Sequence, residues 1–418
     1  MLTNVSAFFS LYLATLAMVM GTGLFNTYLG LRLAGEDVSS FWVGALIAAY
    51  YLGLVFGARV AHRAISRVGH IRVYAASAAV GTALVLAMAL VDSLWLWLLF
   101  RFCLGVAMVA QLMVLESWLN DQADNRNRGS VFALYMVFSG LGTVLGQLSL
   151  TGFSSMDRGP LILVAICSVL ALVPVAMTHR MHPAAPQPAP LTPRYYLRRV
   201  PMSLATVLGS GMMSGAFYGL APVYALAQGV DAGQAAVFVA VAVGAGLCAQ
   251  APMGWLADRI DRARIIRWIT LAIVLFSIPL WGWWQPSYPM LLGLACLFGM
   301  VLFPLYPVGV AFANDHVDPE RRVGLSALVL MVYGLGACLG PLIVGALMHA
   351  AGAGMFFLFM ALCGALLVFY VRPEDVSGEH LSEDAPTHFV PIQETPVPTV
   401  VAELDPRVES GEAEPGKA

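Results

Sequence analysis

Residues 94–118 read LWLWLLFRFCLGVAMVAQLMVLESW, and within them only Arg101 and Glu116 carry charge. A helix of this length rises about 37 Å, enough to cross roughly 30 Å of hydrocarbon. The apolar positions are continuous rather than alternating, so the run reads as a helix and not as a barrel strand. Similar runs occur on both sides, at about 9–31, 40–60, 73–91, 131–152 and 160–178, and again at 204–226, 235–256, 265–284, 289–312, 325–348 and 355–371. The expectation is an all-α membrane protein of 12 transmembrane helices.

Composition supports the same class. Of 418 residues, 59% are hydrophobic and 11% charged, against about a quarter charged in soluble domains. A water-facing surface on a chain this apolar would need far more charge. The stretch before Arg32 holds no Lys or Arg and is too long for the apolar core of a signal peptide, so it reads as the first span. The six cysteines lie in apolar runs without CxxC or CxxH spacing and read as packing residues, so no metal or cofactor is expected.

The basic residues set an orientation. With the N-terminus inside, nineteen Arg and Lys fall in internal segments, and only Arg32 and Arg158 fall outside. Both termini are therefore expected in the cytoplasm. Residues 179–203 are rich in proline and read as a stiff cytoplasmic linker. They separate an N-terminal six-helix bundle (1–178) from a C-terminal six-helix bundle (204–372). Residues 373–418 carry eleven carboxylates against Arg407 and Lys417, a net −9, and read as a disordered acidic cytoplasmic tail.

The two halves repeat at an offset near 194. Asn120-Asp121-Gln122-Ala123-Asp124 stands against Asn314-Asp315-His316-Val317-Asp318, and Gly140, Gly142 and Gly146 stand against Gly334, Gly336 and Gly340. Ser66-Arg67-Val68-Gly69 likewise stands against Asp258-Arg259-Ile260-Asp261. Parallel repeats place a solute path at their junction, where rocking of one half against the other gives alternating access.

With those motifs in view, the chain resembles the major facilitator superfamily over roughly residues 5–372. Gly254-Trp255-Leu256-Ala257-Asp258-Arg259-Ile260-Asp261-Arg262 is similar to the family's loop motif GxLADRxGRR, and Arg101 through Gly105 to its RxxxG element. The first-half loop departs at His62 and Ser66 but keeps Arg67 and Gly69. Phe25-Asn26-Thr27, Leu115-Glu116-Ser117, Arg126-Asn127-Arg128-Gly129, Gly142 through Gln147, Phe217 through Leu220 and Leu305-Tyr306-Pro307 resemble the YcaD-like branch of bacterial transporters. The resemblance implies the major facilitator fold in a bacterial inner membrane. It also implies a proton-coupled carrier in preference to a uniporter.

Two charged residues lie within spans, and each has two readings. An intramembrane charge costs at least about 2.5–3.5 kcal/mol and usually faces the bundle interior. Glu116 is either a structural lock, paired with an arginine of the 59–72 loop, or a proton site. Arg101 either recognises an anion or relays protons, or it holds helix 1 through backbone carbonyls or Asn26. Arg67, Asp258 and Arg259 join Glu116 as coupling or gate candidates. Cavity candidates are Asn26, Tyr28, Arg101, Gln111, Tyr218, Tyr224 and Tyr306, because the resemblance places spans 1, 4, 7 and 10 around the cavity. The repeat offset also pairs Asn26 with Tyr218. Pro304 and Pro307 flank Tyr306 and predict a bend. The repeated glycines read as helix-packing positions. Gln147 stands where antiporters of the family carry proline, which counts against antiport.

The expected partners are a small-molecule solute, the lipid bilayer and, on the coupled reading, protons, with the chain acting as a monomer and no nucleic acid involved. No HExxH, GxSxG, Cys-His pair or carboxylate pair supports an enzyme. A transporter-fold sensor whose tail signals is the remaining alternative.

Overall fold

The computed structural model describes residues 2–122, 128–177, 193–372 and residue 389. Every regular element among them is helical. The order is α1 (Leu2–Gly35), α2 (Ser40–Val68), α3 (His70–Leu90), α4 (Leu94–Gln122), α5 (Arg128–Ser149), α6 (Gly159–Ala176), α7 (Pro193–Arg199), α8 (Pro201–Ala227), α9 (Ala232–Ala257), α10 (Arg262–Ser277), α11 (Tyr288–Leu302), α12 (Leu305–Asn314), α13 (Arg322–Ala351) and α14 (Met355–Tyr370). Short 3-10 turns follow α5 and α10 and precede α13.

Eleven segments are long and apolar enough to cross a membrane, with α11 and α12 forming one of them, Tyr288–Asn314. The twelfth expected span is the shorter apolar helix α14, of 16 residues. Large apolar side chains such as Leu52, Phe56, Leu99, Leu362 and Phe369 point outward, an arrangement that suits lipid and not water.

Local chemistry sets several ends. Asp231 caps α9 by accepting the Gln234 amide at 2.8 Å, and the Gln234 side chain accepts the Asp231 amide in return. Asp261 accepts the Arg264 amide and starts α10. Gly69, at φ +87°, turns the chain directly from α2 into α3. The bend expected at Pro304 is present: the helix breaks at Phe303 and Pro304 and resumes as α12.

Two expectations need correction. By sequence Arg59, Arg63 and Arg67 belong to a loop, but α2 continues through Val68 and carries them on its last turns. Arginine is a good helix former, so the loss of apolar pattern did not mark the helix end. The linker is also not irregular throughout, because Pro193–Arg199 is helical. Proline at the first helical position loses no hydrogen bond that the helix could have made. Residues 179–192 of the linker, the Asp121–Asp124 loop, the Arg126–Gly129 motif and the acidic tail fall outside the described residues, apart from the α4 and α5 backbone at their edges and Phe389, while 200–203 lead into and begin α8.

Packing follows the repeated glycines. Gly142 and Gly146 of α5 lie against the α1 backbone at Leu16, Met20 and Leu24. Gly336 and Gly340 of α13 lie against the α8 backbone at Leu208 and Met212. The pair α1–α5 thus repeats as α8–α13, at the positions that the sequence offset aligns. Gly334 is buried on α13, and Gly140 faces Leu247 of α9. Across the repeats, α2 meets α13, α1 meets α8, and α5 meets α9. The closest of these contacts gather near the start of α2: the Ser40 hydroxyl donates to Gly345 O at 3.0 Å, Gly44 abuts the Pro341 carbonyl, and Gly30 abuts Gly219.

Candidate functional site

Arg101 is buried on α4, 1% exposed. Its Nη2 donates to Asn26 Oδ1 at 2.8 Å and its Nε to Leu46 O at 3.3 Å. Its guanidinium lies over the rings of Phe25 and Tyr50, at 4.8 and 4.5 Å from their centroids. Among the described residues no carboxylate forms an ion pair with it. Two oxygen dipoles and two π faces therefore compensate the charge. Arg101 also borders a cavity of about 50 Å³ lined by Met18, Thr22, Phe25, Tyr50, Met108 and Gln111. Val85 and Ser168 also border it, so it lies among α1, α2, α3, α4 and α6, within the first half and not at the junction of the repeats.

The other cavity candidates scatter. Tyr28 donates to Asp157 O at 2.6 Å and accepts from Arg32, which fixes the end of α1. Tyr224 donates to Leu280 O and packs among Phe238, Phe356 and Phe357. Tyr306 packs on Tyr333 at 4.8 Å. Tyr218 lies against Phe303 and lines a second, smaller cavity with Gly140, Thr143, Leu247 and Gln250, which does lie at the junction of the repeats. Gln111 borders the Arg101 cavity. These residues do not surround one chamber. Asn26 is committed to Arg101, and Tyr218 sits on the α8–α9 side of the seam.

Glu116 is fully buried near the far end of α4. Its Oε1 accepts the Tyr135 hydroxyl of α5 at 2.9 Å, and its Oε2 has no hydrogen-bond partner. No cation among the described residues pairs with it. The lock to an arginine of the 59–72 segment is thus not formed in this conformation; Arg67 is exposed on the last turn of α2. Substituting Tyr135 with Phe removes the one hydrogen bond to this carboxyl. We expect a loss of roughly 1–3 kcal/mol, read as a lowered melting temperature of the purified protein. An unchanged melting temperature would show that water or another group already serves the carboxyl.

The second-half loop motif is built around a residue that the candidate set lacked. Arg262 is buried, and its Nη1 bonds Asp315 Oδ1 at 2.7 Å and Ala311 O at 2.8 Å. Its Nη2 reaches Asp258 Oδ1 at 3.2 Å and its Nε reaches Ala257 O at 3.3 Å. One guanidinium therefore ties α9, α10 and α12. Arg259, the arginine chosen from sequence, instead stacks on Trp255 at 3.9 Å. The signal for Arg262 was its place at the end of the motif, and for Asp315 its place in the repeated Asn-Asp pair.

A multi-pass helical membrane protein with glycine-packed helices and buried ionic groups in its spans defines a class of membrane carriers. The comparisons agree. The chain belongs to the Major Facilitator Superfamily, whose family model matches residues 11–283 and 245–402. It is 29% identical over 348 residues to the MFS-type transporter YcaD of Escherichia coli, covering 83% of this chain and 90% of that one. An MFS-type transporter of Enterobacter sp. strain 638 is 28% identical over 87% of this chain and 94% of its own. Among solved structures, the nucleoside transporter NupG superposes with a TM-score of 0.71 at 15% identity, over 86% of this chain and 97% of that one. At that identity the likeness is one of fold.

Proposed function

We propose that this chain is a secondary active transporter of a small organic solute, neutral or monoanionic, working by alternating access between two six-helix bundles, residues 1–178 and 204–372. On this reading α14 is the twelfth span. Its 16 residues rise about 24 Å, a deficit that a locally thinned bilayer accommodates at modest cost. Both termini face the cytoplasm of a bacterial inner membrane, as the arginine distribution favours.

The observation that carries the reading is the seal at one end of the seam between the repeats, where Ser40 meets Gly345 and Gly44 meets Pro341. With the termini inside, that end is extracellular, and the conformation is closed to the outside. Backbone-to-backbone contacts at glycine part without stripping side chains, which suits a gate. Proton coupling is supported by Glu116. A buried carboxyl with one neutral partner and no cation is costly as an anion, so a proton suits it in this state. A uniporter would not need such a group.

The test is a ligand screen by thermal stabilisation of the purified protein, followed by flux of the hit in proteoliposomes with and without a pH gradient. Accumulation driven by the gradient is the expected result. Stabilisation without flux would favour a sensor, and flux that only equilibrates would favour a uniporter. Substituting Arg101 with Lys keeps the charge but loses the planar fork that reaches Asn26 and Leu46 together. We expect about a tenfold weaker apparent affinity for a solute hit, read from its stabilisation curve. An unchanged curve would remove Arg101 from recognition.

A further inference from the structure

Phe389 lies far along the acidic tail, yet it touches the second-half loop motif. Its backbone N–H donates to Asp258 Oδ1 at 2.8 Å. Its ring fills the space that Gly254 leaves one turn earlier on α9; the three atoms nearest to a Cβ built on Gly254 all belong to that ring. The site is thus a notch floored by a glycine and edged by a carboxylate, and it accepts an aromatic side chain together with the amide of the same residue. Asp258 Oδ1 is shared between Phe389 and Arg262, so the notch is continuous with the Arg262–Asp315 cluster.

The surroundings favour an acidic strand. Arg259, Arg264 and Arg267 are exposed on the turn and on α10. The basic helix α7 is joined to the same face, since Arg199 Nε donates to His316 O at 2.9 Å, next to Asp315. Arg194 and Arg198 of α7 border an open hollow there. The tail carries a net charge of −9. Long-range attraction of this kind raises the local concentration of the tail, and contact at the notch supplies the specificity.

We propose that the tail is a tethered ligand of the α9–α10 turn, with Phe389 seated in the Gly254 notch and its amide on Asp258, so that an intramolecular latch holds the Asp258–Arg262–Asp315 cluster closed. Tethering makes a weak contact effective, because the linker sets a high local concentration. The latch does not depend on what the protein transports.

Amide hydrogen exchange on the full chain tests it. Phe389→Ala should speed exchange of the amides in 254–264 by about fivefold, the equivalent of one hydrogen bond and a small apolar contact. Raising NaCl to about 0.5 M should move the wild type in the same direction, because the attraction is screened. A labelled peptide of residues 383–395 should bind the Phe389→Ala chain, and the same peptide with Ala at 389 should not. Gly254→Val should block that peptide by filling the notch. Exchange unchanged in Phe389→Ala, or peptide binding indifferent to the phenylalanine, would overturn the latch.

Discussion

Replacing Arg262 with methionine is expected to be the most destabilising single change outside the glycine seams. Removing one partner of a buried ion pair costs about 3–5 kcal/mol, since the other charge stays buried and unpaired. Here Asp315 would lose its 2.7 Å contact while its side chain remains 8% exposed. Asp258 would also lose a contact, but it is partly solvated and should contribute little. The Ala311 carbonyl would lose its 2.8 Å bond from Arg262 but keep the one from the Asp315 amide. The melting temperature of the purified protein should fall sharply, and Arg262→Lys should recover part of the loss. Neutralising the remaining carboxylate in the double variant Arg262→Met/Asp315→Asn should recover more than the two single effects predict by addition. Additive losses would mean that the pair does not couple α10 to α12.

The second large effect is expected at Glu116. Glutamine keeps the size and the hydrogen bond from Tyr135 but cannot release a proton. If the carboxyl carries the coupling proton, Glu116→Gln should fold normally and still exchange solute down its gradient, but lose accumulation driven by a pH gradient. Flux through the variant should not respond to an imposed pH gradient, where that of the wild type does. A defect of constant proportion at every pH would return Glu116 to a structural role. It would also redirect attention to the arginine lock, which would then form only in the opposite conformation.

Most of the architecture was legible because lipid imposes one rule on every span, so that long apolar runs mark helices whatever they pack against. The helix break at Pro304 followed from covalent geometry in the same way. The glycine seams were legible as positions, but their partners, the backbones of α1 and α8, were not. The site was less legible. Tyr28 and Tyr224 looked like cavity residues because the resemblance places their spans around the cavity, but their hydroxyls bond the Asp157 and Leu280 carbonyls, distant in sequence. The ion-pair role of Arg262 was hidden for a similar reason. Which of two nearby arginines turns inward is decided by where α12 places Asp315, and no local pattern records that. The open Oε2 of Glu116 and the seat of Phe389 are likewise tertiary facts.

If the two halves rock about the seam, the end now sealed at Ser40 and Gly345 must open. Spin labels at Asp37, in the turn before α2, and at Asp231, the cap of α9, would report on that end from opposite halves. The native cysteines would first be replaced, and distances would be measured by pulsed electron resonance in lipid nanodiscs across pH 5–8 and with ligands from the stabilisation screen. Two distance populations are expected, a short one matching this conformation and a longer one whose share changes with pH or ligand. A single short distance under every condition would contradict alternating access.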